Sequence, residues 1–442
     1  MSAASSWPLE LPTDRNDLNC WLSWLENRDP HRIELGLERV RCIWRSLVSQ
    51  GYQVPFVITV AGTNGKGSSV ALLESILRAE TYRVGAYTSP HVVSFTERFR
   101  IDGLDIRPEP LVAAFEVLFN QPGSETLTYF EWATLAAFIA FSAAELDVWI
   151  LEVGLGGRLD AVNVLDANLA LITAIGLDHQ AILGNDRVSI AREKAGILRA
   201  GQPAVYMDAQ PEQTIADTGR SVGADLWVSG HEFSIQTQPE SWSLSVKSAV
   251  SHWPTPRLLG AHQVRNAAGV VALLRHPGNP LHISNESIRQ GLLTASVIGR
   301  FERWALDGRL VTLDVAHNED SLTALLENIS KNSMLCDGCK RYAVFSALAD
   351  KPIEAMVALG MPLFDAWFLA ELDGARAASG ERLRTAVVSM GGEGVFNEKG
   401  IVHAYNQALA RSAAGDQIVI FGSFLTVSRI RPELSRTGAR LV

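Results

Sequence analysis

The chain is poor in cysteine, with four residues in 442, too few for a disulfide scaffold. Only Cys336 and Cys339 stand close together. One CxxC with no second Cys or His pair beside it points to loop or partly buried thiols rather than to zinc. Long apolar runs are also missing: the longest, such as 133–144 (ATLAAFIAFSAA), fall short of the roughly 20 residues that cross a bilayer, and their small residues suit a buried helix. No membrane partner is expected. The opening MSAASSWPLELPTDRND has no basic stretch followed by an apolar one, so it is read as lacking a secretory signal, and a cytoplasmic location is expected. Positive charge is in deficit, 39 Lys plus Arg against 48 Asp plus Glu, for a formal net charge of −9. No global basic field therefore exists to hold nucleic acid or an anionic surface, and an anionic ligand must be met by a local cluster.

What is present suits a globular protein of two or three domains: 47% hydrophobic and 20% charged residues, enough for two sizeable cores. Leu18, Trp21, Leu22 and Leu25 fall at i, i+3, i+4 and i+7, an amphipathic helix whose tryptophans are read as core packing. From residue 56 apolar strands alternate with helix-like segments: FVITVAG, a Gly-rich turn, a helix from about Ser68, then RVGAYTS, VWILEVG, LALITAIG and PAVYM. That rhythm predicts a mostly parallel sheet with covering helices. Residues 236–257 read as short antiparallel strands or loop, a peripheral excursion before a helix around HQVRNAAGVVALL. SVIGRFER (296–303) then precedes a second strand series, RLVTLDVAHN, RYAVFSALAD, AWFLAEL and QIVIFGSF, which puts a boundary near residues 295–299.

The sharpest chemical signal is VAGTNGKGSS (60–69), between an apolar strand and a predicted helix. A phosphate there meets Gly-permitted backbone amides, the positive end of a helix and the Lys66 ammonium. The spacing departs from G-x-x-x-x-G-K-[ST], because Val60 or Ala61 occupies the first glycine's region and Gly67 precedes Ser68. In LEVGLGGRLDAVNV (151–164), Glu152 ends a strand, where a carboxylate points into the ligand crevice of an open α/β sheet and is able to hold Mg²⁺; the alternative is a turn acid facing solvent. ITAIGLDHQAILG places Asp178 and His179 past another strand, and AREKAGIL places Lys194 in a helix-like stretch. Singly, such residues are ordinarily structural or solvated. In the second half, LDVAHN gathers Asp314, His317 and Asn318 at a strand end, and GRFER supplies Arg300, a cation able to reach phosphate across an interdomain cleft. The bland alternatives are an interdomain salt bridge for Arg300 and a helix N-cap for Asn318.

Taken in order, AGTNGKGSS, TSPHVVSFTERFRIDG, TYFEW, EVGLGGRLDAVN, GLDH, REKAGI, HQVRNA, GRFE and DVAHN resemble the bacterial dihydrofolate synthase/folylpolyglutamate synthase family, a branch of the Mur ligase superfamily. The resemblance runs from about residue 18 to 427. It implies an N-terminal P-loop-type ATP-binding domain (1–297), a smaller C-terminal Rossmann-like glutamate ligase domain (298–442), and an active site in the cleft between them. The implied reaction is ATP-dependent: a pteroate or folate carboxylate takes the γ-phosphate to give an acyl phosphate, and the L-glutamate amine displaces phosphate. Substrates are then dihydropteroate, reduced folates and L-glutamate, with ATP as co-substrate, one or two Mg²⁺ ions, and a monomer expected.

By the same resemblance Thr63, Asn64, Gly65, Lys66 and Gly67 form the phosphate loop, with Ser68 close to the first metal. Ser89 and Glu152 resemble its ligands, His179 resembles a ligand of a second metal, and Lys194 matches a lysine that is carbamylated. Asn266, Arg300 and Asp314 match ATP contacts, with His317 beside them as a nucleotide or closure contact. Ile33, Glu34, Leu35, Phe130, Leu159, Asp160 and Ala161 resemble a dihydropteroate pocket, where an aromatic ring and an acid suit a flat heterocycle bearing N–H donors. Departures flank the motifs: Ile298 stands where Pro often precedes GRF, and Glu319-Asp320 follow Asn318. Three alternatives stay open: polyglutamylation alone, a ligase for UDP-linked cell-wall precursors, and a nucleotide-switched protein without ligase chemistry. The cell-wall reading needs a UDP-binding domain, and only about 55 residues precede the loop.

Overall fold

A computed structural model describes residues 12–28, 34–331, 338–374, 376–397 and 400–442. Contacts divide the chain into two compact units. One comprises Met1–Ser89, Thr96–Arg257 and Val264–Ala295, the other Pro90–Phe95, Leu258–Gln263 and Ser296–Val442.

The first unit is built on eight strands: β1 (Phe56–Ala61), β2 (Val84–Tyr87), β3 (Phe99–Ile101), β4 (Leu104–Asp105), β5 (Val148–Glu152), β6 (Leu169–Ile172), β7 (Pro203–Tyr206) and β8 (Asp225–Val228). Their order is β4-β3-β2-β5-β1-β6-β7-β8. From β2 across to β8 all neighbours run parallel, while β3 pairs antiparallel with both β2 and β4 at the other edge. The strands β2, β5 and β6 are buried throughout, as expected of a parallel sheet covered on both faces, where polar alternation disappears. Trp149 of β5 stacks on Phe138 of the helix Tyr129–Ala143 at 5.8 Å. The predicted tryptophan helix is present as Leu18–Arg28, with Trp21 fully buried and packed on Phe115 and Phe119.

The excursion at 236–257 belongs to a three-stranded antiparallel sheet, β9 (Phe233–Thr237), β10 (Ser241–Val246) and β11 (Ala249–Pro254), in which Trp242 faces Trp253. The second unit holds β12 (Glu302–Leu306), β13 (Arg309–Leu313), β14 (Arg341–Phe345), β15 (Ala366–Ala370), β16 (Gly394–Asn397), β17 (Gln417–Phe421) and β18 (Arg440–Leu441), ordered β16-β15-β14-β17-β13-β12-β18. Its five strands from β16 to β13 are parallel, while β12 runs antiparallel to β13 and β18. Alternate residues feed two cores: Tyr342, Val344, Ile418 and Ile420 enter one, Ala343, Phe345, Val419 and Phe421 the other. Cys336 lies outside the described residues, and Cys339 is disulfide-bonded, which corrects the free-thiol expectation for it. No helix among the described residues is long and apolar enough to cross a membrane.

Candidate active site

The phosphate-type loop follows β1 directly and enters the helix Lys66–Ala79, two residues before the expected start. Two glycines let it fold. Gly62 has φ +150°, and a Cβ there would fall 1.7 Å from Thr173 Oγ1; Gly65 has φ +95°, and a Cβ there would fall 2.4 Å from Asn266 Oδ1. The Thr63 and Asn64 amides donate to the Ala174 carbonyl at 2.8 and 3.3 Å, pinning the loop to the chain after β6. The Lys66 ammonium donates to the carbonyls of Gly62 and Thr63 at 3.0 and 3.2 Å, so it lies over the loop it would serve. First-turn amides of such a helix point toward an N-terminal anion. Asn266, from the helix Ala261–Leu274, is thus brought against Gly65.

Register puts Glu152, the last residue of β5, opposite Val60 of β1. Its carboxylate is buried, accepts the Ser89 amide at 3.3 Å, and would lie 3.6 Å from a Cβ on Gly67. Ser68, Ser89 and Glu152 therefore converge on the helix entrance. The GLGG loop then packs backbone to backbone on the helix Arg187–Ala195: a Cβ on Gly157 would stand 2.7 Å from Glu193 O and 3.0 Å from Lys194 Cα. This contact and the Arg158 amide on Glu193 O (2.8 Å) set Lys194 in the interior, 4% exposed. Burial, then the nearby Lys66 charge, push the Lys194 ammonium down to about 7, with Asp178 and Asp160 acting in the opposite direction. His179 is exposed and left-handed (φ 52°), heading the short helix Gln180–Leu183, and its amide donates to Asp178 Oδ1 at 2.9 Å.

A second cluster adjoins it. Phe130 is half-buried, lies on Gly154, where a Cβ would fall 2.4 Å from its ring, and neighbours Tyr87 at 6.2 Å. Asp160 is enclosed, accepts the Leu155 and Val162 amides at 2.8 and 3.0 Å, and caps the turn Ala161–Val164. Burial pushes its carboxyl up to about 6, against those amides, that of Gly154 and the Lys66 charge. Leu159 is half-buried and Ala161 buried on either side. Glu34 is exposed and Leu35 half-buried; Ile33 lies outside the described residues.

Arg300, Asp314 and His317 gather in the second unit. The buried Asp314 accepts the amides of Phe301 and Ala316, each at 2.8 Å. Burial raises its pKa, opposed by Arg300, those amides and His317. The Arg300 guanidinium lies 5.7 Å above the Phe424 ring, and His317 lies 5.8 Å from the same ring while its Nδ1 contacts Val315 O at 2.9 Å. Asn318 does cap a helix, accepting the Ser321 amide at 2.9 Å.

Sequence reasoning left Asp178 without a role and missed Thr173, Tyr87 and Arg39. Thr173 braces Gly62 from a strand end more than a hundred residues later in the chain, for which no local signal exists. Among the described residues no group of three or more His, Cys, Asp or Glu side chains is gathered to hold a metal.

Family comparison finds the Mur ligase middle domain over residues 60–274 and the Mur ligase glutamate ligase domain over 299–424. The chain is 40% identical over 427 residues to the dihydrofolate synthase/folylpolyglutamate synthase of Escherichia coli K12, covering 95% of this chain and 96% of the relative. It is 33% identical to the Bacillus subtilis protein of the same name, over 82% of this chain and 87% of that one. Among solved structures, E. coli FolC in complex with DHPP and ADP superposes with a TM-score of 0.85 at 38% identity, covering 95% and 98% of the two chains. A bifunctional folylpolyglutamate synthase/dihydrofolate synthase with Mn, AMPPNP and L-glutamate bound gives 0.86 at 37% identity, covering 96% and 100%.

Proposed function

The chain belongs to the dihydrofolate synthase/folylpolyglutamate synthase family of Mur ligases, and from that premise we propose how its residues divide the work of the reaction. The protein is an ATP-dependent ligase that joins L-glutamate to dihydropteroate, forming dihydrofolate, and to reduced folates, forming folylpolyglutamates.

The physical obstacle is charge, because an anionic carboxylate has to approach an anionic triphosphate. Lys66 and the first-turn amides of Lys66–Ala79 are assigned to the phosphates, Asn266 to the nucleotide, and Arg300, Asp314 and His317 to its contacts from the second unit. With the γ-phosphate so neutralised, the substrate carboxylate attacks phosphorus and ADP leaves. The glutamate amine then attacks the acyl phosphate, and phosphate departs from the tetrahedral intermediate. Residues 1–297 are assigned to the ATP-binding domain and 298–442 to the glutamate ligase domain, in line with the two matched family regions.

For a divalent cation, the buried Glu152 carboxylate beside the Ser89 amide and the helix entrance offers the hard oxygen chemistry required. Ser89 and Glu152 are assigned to one ion, His179 and Lys194 to a second. A bound cation supplies neutralisation of phosphate charge. Lys194 serves best as a carbamate, an anionic oxygen ligand, and forming it requires a neutral amine. A lysine held near 7 by burial and by Lys66 meets that requirement at physiological pH, and this is the observation that carries the site assignment.

Phe130, Leu159, Asp160 and Ala161, with Ile33, Glu34 and Leu35, are assigned to dihydropteroate, the half-buried ring for stacking and the enclosed acid for N–H donors. The E. coli relative in complex with DHPP and ADP supports such a ligand class for this fold. A monomeric, cytoplasmic protein without a nucleic-acid partner completes the reading, on the family resemblance and the net charge of −9.

The test is Lys194→Ala. Turnover falls about 100-fold or more, and acetate, a small carboxylate, restores part of it. Wild-type turnover in the variant removes Lys194 from the site.

A further inference from the structure

Arg39 carries none of the roles assigned above. It lies in the helix Glu38–Ser49 with a side chain only 19% exposed, and it is held on three sides. Its guanidinium ion-pairs with the Glu34 carboxylate and donates to the Glu34 carbonyl at 2.8 Å. It also donates to both carboxylate oxygens of Glu131, at 3.0 and 3.3 Å. Glu131 is itself buried, 5% exposed in its side chain, and accepts the Thr128 amide at 2.7 Å. With the Thr128 hydroxyl on the Glu131 amide, this closes a capping box at the head of Tyr129–Ala143, the helix whose first turn carries Phe130. One guanidinium thus joins the segment bearing Glu34 to the helix turn bearing Phe130.

Exposed ion pairs add little, but the geometry here differs. A planar fork engages both oxygens of a buried carboxylate, and neither member can be removed without stranding the other. A flat heterocycle held between the Phe130 ring and the segment bearing Glu34 also requires those two walls to keep a fixed separation, since a misplacement near 1 Å is costly. We propose that Arg39 is a positioning residue that fixes Glu34 relative to Phe130 and so sets the affinity for dihydropteroate, taking no part in phosphoryl transfer. The proposal rests on the reading of Glu34 and Phe130 as walls of that pocket.

The experiment measures steady-state kinetics and thermal unfolding of the full-length Arg39→Met and Glu131→Gln variants with Phe130→Ala alongside. Met keeps the apolar stem, and Gln keeps an acceptor for the Thr128 amide. In both, the KM for dihydropteroate rises about tenfold, roughly 1.4 kcal/mol, while kcat and the KM for ATP stay within about twofold. The double variant is little worse than either single one, as members of one network are not additive. An unchanged dihydropteroate KM, an equal rise in the KM of every substrate, or a fall of kcat together with Tm overturns the proposal. If Phe130→Ala raises the KM and Arg39→Met does not, only the positioning role fails; if Phe130→Ala leaves it unchanged, the pocket reading fails and the positioning role with it.

Discussion

Asp160 is enclosed at the head of the turn Ala161–Val164, where burial holds its carboxyl near 6 against an ordinary 3.8. The folded protein therefore binds more protons than the unfolded chain between about pH 4 and 6, and this group's contribution to stability declines as pH rises through that window. For a substrate presenting N–H donors the ionised form is the better acceptor. The KM for dihydropteroate accordingly falls as pH rises through about 6, and Asp160→Asn flattens that dependence; a pH series on both proteins checks it, and parallel profiles would contradict it. Lys66 and Glu152 were readable because a glycine-rich turn and a strand-ending acid announce themselves locally. The depressed ionisation of Lys194 was not, because it arises through space from burial and from Lys66, against the pull of Asp178 and Asp160. Arg39 escaped for the same reason, its partner Glu131 standing 92 residues away, although the Thr128-x-x-Glu131 box was visible in TYFE.

Between elements, the decisive contact is the seating of the GLGG loop on the helix Arg187–Ala195. Gly157 leaves no room for a methyl group against Glu193 O and Lys194 Cα, and both obstacles are backbone atoms, unable to swing aside. Gly157→Ala pushes the helix away, costs about 1–3 kcal/mol in denaturant unfolding, and lowers turnover by displacing Lys194; an unchanged midpoint with full activity would show that the loop does not set the lysine's place. The long apolar strands β1, β2, β5, β6 and β7 were legible as parallel-sheet strands because burial on both faces removes polar alternation. The strands that went unread are short or lie at edges. β4 is exposed at both residues, β18 likewise, and β12 starts in the last two residues of GRFER, whose Arg300 drew the reading toward a hinge. The peripheral sheet β9–β11 was anticipated from its Ser, Trp, Gln and Pro content, but only as strands or loop, although SWSLSV in β10 alternates polar and apolar residues.

At the level of the whole molecule, two α/β sheets were foreshadowed by two runs of strand and helix, and nine ordered motifs carried the family resemblance that the comparisons then bore out. The net charge of −9 supplies no global field for anionic substrates, so the proposed roles of Lys66 and Arg300 rest on local charge. Bifunctionality is the claim that joins the two halves of the site, the phosphate loop and the pterin pocket. Its most direct test is phosphate release by the purified protein with Mg-ATP and L-glutamate, in the presence of dihydropteroate, of tetrahydrofolate, or of neither, with mass spectrometry of the products. Stimulation by both pterins is expected, each product gaining one glutamate residue. Stimulation by tetrahydrofolate alone would contradict the dihydropteroate pocket, and stimulation by neither would contradict the ligase itself.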